Sequence, residues 1–143
     1  MKLYTNSPAH FLYFTPKIVV ELTNAKVETV VVSQEEQDTA EFKAKRQHGK
    51  FPMLELADGT MIYESNGIAA YFARTSGSAP ALVGSDAFEE AQIEQWVLIA
   101  ATGNWPHAGK IAYNTLGMAF NLAQYNDAVK GIKDQVKVLN THL

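Results

Sequence analysis

The fold of this 143-residue chain is decided by residues 50–65, whose sequence is KFPMLELADGTMIYES. Two apolar runs, 51–56 and 60–63, flank the turn-forming pair Asp58-Gly59, and this pattern predicts a β-hairpin. Ser65, which follows the hairpin, is predicted to cap a helix, because a serine hydroxyl can accept a hydrogen bond from a backbone N–H of the first turn. We expect the buried side of that helix to consist of Ile68, Ala69, Tyr71 and Phe72.

The residues before the hairpin alternate between strand and helix patterns. Lys2–Thr5 predicts a short strand, and residues 15–24 predict a helix that Thr15 caps and Asn24 ends. The β-branched run 27–32 predicts a buried parallel strand. Residues 33–38 are expected to form a polar connection, and residues 39–47 a second helix. The order β-α-β-α-β-β-α predicts an α/β domain. The apolar side of its first helix is expected to consist of Ile18, Val19 and Leu22.

The second half of the chain has only helical patterns. Residues 77–85 are rich in Gly, Ser, Ala and Pro and predict a linker between a domain at 1–76 and a helical domain at 86–143. The first helix, 86–101, is expected to be substantially buried on the face carrying Ile93, Trp96, Val97 and Ala100. The last helix has an apolar row with a 3.5-residue period, which we expect to pack on the preceding helix rather than in a free coiled coil. That row consists of Met118, Leu122, Tyr125, Val129, Ile132, Val136, Leu139 and Leu143.

Composition excludes several functional classes. The formal net charge of −3 argues against a nucleic-acid surface, which needs clustered Lys and Arg. The absence of cysteine removes disulfides, thiolate metal sites and cysteine nucleophiles. His107 and His142 have no partners at metal-ligand spacing, so we expect no metal site. No apolar run approaches the roughly 20 residues that span a bilayer, and we expect a cytoplasmic protein without a membrane segment.

Two segments of the hairpin region have the chemistry of a binding site. Pro52 begins a strand, where it cannot donate to the sheet ladder. A cis Phe51–Pro52 bond would leave the Phe51 backbone able to pair with an extended peptide, whereas a trans proline would simply begin an edge strand. Both alternatives are open. Ser65 and the N–H groups of the first helical turn offer an anion site, and Glu64 beside them offers a negative charge for an ammonium group.

These residues resemble the glutathione-binding core of the glutathione transferase family. The resemblance is carried by Lys50-Phe51-Pro52-Met53-Leu54, by Asp58-Gly59 and by residues 63–71, and it extends over essentially the whole chain. It implies an α/β thioredoxin-like N-terminal domain followed by an all-α, truncated glutathione-transferase C-terminal domain with its first two helices. It also implies that Phe51 and Pro52 hold the cysteinyl part of glutathione and that Glu64 and Ser65 hold its γ-glutamyl part.

Transferase chemistry requires a hydrogen-bond donor that keeps the sulfur of glutathione as a thiolate. The family places this donor just after the first strand, where Ser7 is the first candidate and Tyr4 the second. His48 and Lys50 are candidates for binding the glycine carboxylate, or they are simply part of a polar loop before the hairpin. Whether the chain is an enzyme stays open at this point.

A narrower resemblance concerns one subgroup, the gamma subunit of translation elongation factor 1B. It is carried by Gln95-Trp96, Pro106 and residues 114–118, and it implies a scaffold module in the guanine-nucleotide-exchange complex of translation elongation. The implied partners are glutathione and either a second copy or other elongation factor 1B subunits. The alternative is a soluble glutathione transferase that conjugates electrophiles. The resemblance also leads us to expect further helices after Leu143, and hence a fragment of a longer protein or a shortened relative.

Overall fold

The computed structural model describes residues 1–76, 82–118 and 121–142. Its strands are β1 (Lys2–Thr5), β2 (Glu28–Val31), β3 (Met53–Glu55) and β4 (Met61–Tyr63). Its α-helices are α1 (Phe11–Thr23), α2 (Gln34–Asp38), α3 (Ala40–Lys45), α4 (Ser65–Thr75), α5 (Ala87–Leu98), α6 (Trp105–Thr115) and α7 (Leu122–Asn140). A π-helical segment, Ile99–Asn104, lies between α5 and α6.

The chain divides into two compact units, Met1–Glu89 and Glu90–Leu143. The predicted linker, residues 77–85, falls partly outside the described residues. The placement of a domain boundary in that linker therefore stays a prediction.

The first unit contains one four-stranded mixed sheet with the order β2-β1-β3-β4. β1 is parallel to β2 and antiparallel to β3, and β3 forms the predicted hairpin with β4. A parallel crossover half joined to an antiparallel hairpin and a final helix is the predicted thioredoxin-like arrangement. This part of the fold prediction is confirmed.

The sheet has a hydrophobic cluster on each face because successive strand residues point to opposite sides. Leu3 and Leu54 point to the face covered by α1 and α4, whereas Tyr4 and Met53 point to the other face. The first cluster consists of Leu3, Tyr13, Val20, Leu54, Ile68 and Phe72. The second consists of Tyr4, Val32, Phe42, Phe51 and Met53.

Helix α1 differs from the prediction in its start and in its buried face. It begins at Phe11 rather than Thr15, after a turn closed by a 3.1 Å hydrogen bond from His10 N–H to the Ser7 carbonyl. Ile18 and Leu22, which were predicted to be buried, are 57% and 58% exposed. The correct buried face steps by three and four residues from the earlier start, and it consists of Tyr13, Pro16, Val20 and Thr23.

Two further expectations for the first unit were wrong. The parallel pairing of β2 was predicted correctly, but its burial was not. β2 is an edge strand with mostly exposed residues, and it pairs only with β1 in the described sheet. Residues 34–38 form the short helix α2 rather than a polar connection, because the Ser33 hydroxyl accepts a hydrogen bond from Glu36 N–H at 3.1 Å. The Thr39 hydroxyl starts α3 in the same way, accepting from Phe42 N–H at 3.2 Å.

The second unit is helical, as predicted, but its helices are divided differently. The helix expected to end at residue 101 continues through the π-helical segment into α6, so that α5, α6 and α7 replace the two expected helices. Pro106 lies in the first turn of α6, where its missing N–H is tolerated. α5 has no buried residue, contrary to the expectation of substantial burial. No helix within the described ranges is long and apolar enough to cross a bilayer.

Helix α7 packs mainly on α6 and also on the π-helical segment, so it packs within the chain as expected, but α6 takes the place of the predicted helix 86–101 as its main partner. The predicted row is only partly correct, because Met118, Leu122 and Val136 are 69%, 58% and 53% exposed. Leu143 lies outside the described residues. Four members of the predicted row, Tyr125, Val129, Ile132 and Leu139, are half-buried. The small and polar residues Ala128, Gly131 and Gln135 are also buried or half-buried, in place of the exposed members of the row.

Gly131 allows α7 to lie close to α6. A Cβ atom at Gly131 would overlap the imidazole ring of His107 on α6. We expect Gly131→Ala to lower the free energy of unfolding by about 1–3 kcal/mol, because the ring must be displaced from a packed site. Urea denaturation monitored by circular dichroism measures this change.

Gly109→Ala is the matched control on α6, because a Cβ atom there meets nothing within 4 Å. It should leave stability unchanged or raise it by up to about 1 kcal/mol, since alanine favours a helix interior. Equal unfolding midpoints for the two variants would contradict this account of the packing.

Candidate functional site

Strand pairing brings three chain segments to one edge of the sheet. Met53 at the start of β3 pairs with Tyr4 on β1 and with Tyr63 on β4. The residues that follow β1, precede β3 and follow β4 therefore meet at this edge. They are residues 5–7, Phe51-Pro52 and Glu64-Ser65. The sequence-predicted site residues are thus brought together by the register of the sheet.

The Phe51–Pro52 peptide bond is cis, which is one of the two alternatives that the sequence left open. The Phe51 side chain is buried in the second hydrophobic cluster and is 6% exposed. Its backbone makes no hydrogen bond to the backbone of another described residue. A backbone N–H and C=O held in place by a buried side chain suit the pairing of a short extended peptide.

Glu64 and Ser65 differ from the predicted cap. Glu64 has φ 66° and ψ 129°, and α4 begins at Ser65, so Ser65 is the first helical residue rather than the N-cap. Glu64 makes the turn that a capping residue would make, at a cost of about 1–3 kcal/mol for such a backbone conformation. The Ser65 hydroxyl accepts no hydrogen bond from the helix start, although the residue is 8% exposed.

The start of α4 therefore offers both signs of charge to a ligand. Glu64 is exposed and forms no ion pair within the described part of the chain. Next to it, the first N–H groups of α4 and the Ser65 hydroxyl are donors for an anion. This arrangement fits a zwitterionic α-amino acid group, with the ammonium on Glu64 and the carboxylate on the helix start.

Ser7 lies in the loop that follows β1 and is half-buried. Its hydroxyl oxygen accepts a hydrogen bond from Ala9 N–H at 3.2 Å, and its carbonyl accepts from the Thr5 hydroxyl at 2.8 Å. The loop is thereby fixed, and the hydroxyl hydrogen of Ser7 has no protein acceptor among the described residues. Ser7 is free to donate to a ligand at this edge.

Tyr4, the second donor candidate, already donates a hydrogen bond to another residue. Its hydroxyl donates to a Glu55 carboxylate oxygen at 2.5 Å. Burial, and then this hydrogen bond to an anion, raise the pKa of Tyr4 well above its usual value. The phenol therefore stays protonated and bonded to Glu55, which leaves Ser7 as the better candidate.

His48 and Lys50 lie in the exposed loop that leads to Phe51. The His48 ring lies 4.8 Å from the Tyr63 ring, and the Tyr63 hydroxyl donates to the Lys45 carbonyl at 2.7 Å. These contacts attach the loop to the hairpin, beside the edge described above. Both basic side chains are exposed, as the binding of a carboxylate requires.

Arg46 is a contact that the sequence did not predict, because the basic run 43–46 resembles a solvated helix face. Its guanidinium lies 5.4 Å above the Phe51 ring and donates to Gln37 Oε1 at 3.0 Å. Arg46 thus contacts the face of the Phe51 ring. His10 is also half-buried, and burial lowers its pKa. Within the described ranges, no group of three or more potential ligands could hold a metal ion.

The chain is similar to known proteins in both of its compact units. Residues 15–80 match the family model described as the glutathione S-transferase N-terminal domain. The structure of Ure2p in complex with glutathione superposes with a TM-score of 0.83 over 98% of this chain and 69% of that chain. At 17% sequence identity, this likeness concerns the fold.

Sequence relatives extend the likeness beyond the family model. Elongation factor 1-gamma 2 of Oryza sativa subsp. japonica is 38% identical over an alignment of 133 positions that covers 91% of this chain and 31% of that protein. The N-terminal part of the chain thus matches the glutathione transferase family model, and the sequence likeness to a relative continues beyond it. Elongation factor 1-gamma of Artemia salina is 35% identical over an alignment of 145 positions that covers 99% of this chain and 32% of that protein. This transferase-like chain spans about a third of the length of these relatives.

The Tyr4–Glu55 contact predicts a pH-dependent contribution to the stability of the transferase-like chain. The hydrogen bond from Tyr4, followed by the charge of Lys45, lowers the pKa of Glu55 below its usual value of 4.5. Stability from this pair is therefore present above the usual value and is lost as the pH falls through the lowered one. At pH 7, Tyr4→Phe should lower the free energy of unfolding by about 1.5–3 kcal/mol.

Urea denaturation at neutral pH and at about pH 3 measures this effect, and the difference between parent and variant should shrink in acid. Tyr113→Phe is the control, because Tyr113 is 47% exposed on α6. A Tyr4→Phe effect that is the same at both pH values would contradict the role of the Glu55 charge.

Proposed function

We propose that this chain is the glutathione-transferase-like module of an elongation factor 1B gamma subunit. In this role it serves as a cytoplasmic scaffold in the guanine-nucleotide-exchange complex of translation elongation. The observation that carries the proposal is the extent of the likeness. The family model ends at residue 80, whereas the similarity to elongation factor 1-gamma covers 91% and 99% of the chain and so includes the helical second unit.

We also propose that the edge formed by residues 5–7, Phe51-Pro52 and Glu64-Ser65 binds glutathione. The backbone of Phe51 would pair with the cysteinyl unit, and Glu64 and Ser65 would hold the γ-glutamyl end. His48 and Lys50 would bind the glycine carboxylate. The opposite charges offered at the start of α4 support this orientation, because only the γ-glutamyl end of glutathione is zwitterionic.

A second candidate function is a soluble glutathione transferase that conjugates glutathione to electrophiles. The hydroxyl of Ser7 favours it, because its hydrogen has no acceptor within the described residues and it lies at the same edge. Donation from this hydroxyl to the sulfur would stabilise the thiolate, which is the nucleophile. The two functions are compatible, since a scaffold module can still bind glutathione.

The scaffold proposal is tested by purifying the protein from cells of its own source under gentle conditions. Mass spectrometry of the co-purified proteins should then identify subunits of the nucleotide-exchange complex. Recovery of the protein without any such subunit, at a salt concentration that preserves known complexes, would refute it.

Glutathione binding is expected to depend on the start of α4. Glu64→Gln should weaken the affinity roughly tenfold, because it removes the charge that faces the ammonium group. Isothermal titration calorimetry with glutathione measures this change. Glu90→Gln on α5 is a matched control that also removes an exposed carboxylate. Unchanged binding by Glu64→Gln would show that the γ-glutamyl group lies elsewhere.

The enzymatic alternative predicts a specific effect of Ser7. Ser7→Ala should lower kcat/KM for conjugation of glutathione to 1-chloro-2,4-dinitrobenzene by about 10²–10³-fold. It should change glutathione affinity far less than kcat/KM, because the sulfur is the one ligand atom to which the hydroxyl would donate. If the parent protein is inactive, the transferase hypothesis is refuted. It is also refuted if the parent protein is active and Ser7→Ala does not lower its activity.

A further inference from the structure

The Arg46 side chain connects separate segments of the first unit. Arg46 lies directly after α3 and is half-buried. Its guanidinium donates to Gln37 Oε1 at 3.0 Å, and Gln37 Nε2 donates to the Val32 carbonyl at 3.2 Å. The same guanidinium lies over the Phe51 ring, 5.4 Å from its centre. Arg46 thus links the end of β2, through Gln37 on α2, to the segment that precedes β3.

Both the side chain and the main chain of Arg46 are fixed by hydrogen bonds. Gln37 is 7% exposed, and its carboxamide oxygen and nitrogen each make a hydrogen bond, so a rotation of this buried amide would leave polar groups unpaired. The Arg46 N–H donates to the Phe42 carbonyl, and the Arg46 carbonyl accepts from Gly49 N–H, both at 2.9 Å. The guanidinium is therefore held in one position.

Phe51 is the residue on which this guanidinium acts. The Phe51 ring lies in the second hydrophobic cluster, with its centre 6.0 Å from that of the Phe42 ring. A guanidinium over the face of a ring adds a cation–π attraction, which is stronger where water is partly excluded. The Phe51 backbone makes no hydrogen bond to the backbone of another described residue. The orientation of its peptide unit therefore depends on the contacts that hold its side chain.

Arg46 differs from the two lysines beside it in its contacts. Lys43 pairs with Asp38 at 3.9 Å, and Lys45 pairs with Glu55 at 3.6 Å. Arg46 forms no ion pair within the residues that the structure describes. Its contacts suit an arginine, because a planar guanidinium can stack on a ring and donate to an amide at the same time, whereas an ammonium group cannot stack.

We propose that Arg46 is a positioning residue for the glutathione site. By holding the ring of Phe51, it keeps the Phe51 N–H and C=O oriented for pairing with the cysteinyl unit. Such pre-organisation raises affinity, because less of the protein has to be ordered when the ligand binds. Arg46 does not itself contact the ligand, and the glycine carboxylate is left to His48 and Lys50. The proposal rests on the proposed glutathione site and adds to it a residue that acts through Phe51.

Isothermal titration calorimetry with two ligands separates positioning from direct contact. The ligands are glutathione and glutathione ethyl ester, in which the glycine carboxylate is blocked. Arg46→Met should weaken the affinity for both by about tenfold, because both contain the cysteinyl unit that pairs with Phe51. Arg46→Lys should not restore the affinity, because it keeps the charge but not the planar group. A loss that is confined to free glutathione and restored by lysine would overturn the proposal, since Arg46 would then bind the carboxylate directly.

Lys43→Met is the matched control, because Lys43 is an exposed cation of α3 whose ion pair is with Asp38. It should leave the affinity for glutathione unchanged, since an exposed pair of this kind contributes little. Urea denaturation verifies that each variant is folded under the conditions of the titration. A folded Arg46→Met variant that binds glutathione as tightly as the parent would overturn the proposal.

Nuclear magnetic resonance relaxation of the free protein tests the hold on Phe51 independently of glutathione. The order parameter of the Phe51 N–H should fall from about 0.85, typical of rigid backbone, to below about 0.6 in Arg46→Met. If the parent does not bind glutathione and the order parameter falls, the glutathione site is refuted while Arg46 still positions Phe51. If the parent binds glutathione and the order parameter does not fall, the positioning role is refuted while the glutathione site stands.

Discussion

The candidate site depends on the position of Met53 in the sheet. This fully buried residue pairs with Tyr4 on one side and with Tyr63 on the other, and so fixes where three separate segments end. Because strand side chains alternate, a slip of one residue would exchange the two clusters on opposite faces of the sheet. The hydrophobic core therefore enforces the register, and the register in turn brings the β1 loop, the proline segment and the start of α4 together.

The parts of the fold that depend on local sequence were predictable. The Asp58-Gly59 turn between two apolar runs specifies the hairpin, which was predicted. The cap of α2 by Ser33 was missed, although serine is an ordinary helix-capping residue. The edge position of β2 was not predictable, because it depends on which strands pair with it. The buried face of α1 was also missed, since Ile18 and Leu22 are as apolar as the residues that are buried.

The residues of the candidate site were likewise predicted, but their backbone conformations and hydrogen bonds were not. The segments around Pro52 and Glu64 were identified from residue type and spacing. The positive φ of Glu64 was not, because nothing in the residue type requires it, and it moved the helix start to Ser65. The sequence placed Ser7 before Tyr4 as the donor, and the hydrogen bond from Tyr4 to Glu55, which the sequence did not predict, supports that order.

The π-helical segment has a consequence for how this chain is compared with its relatives. A single π turn corresponds to one residue inserted into an otherwise regular helix. Each residue turns an α-helix by about 100°, and the wider π turn accommodates the added residue, so a homologue that lacks it would present the same side of α6 to α7 with its sequence shifted by one residue. Alignments of such homologues need a one-residue gap within Ile99–Asn104, and without it every position equivalent to α6 would be assigned to the wrong side of the helix.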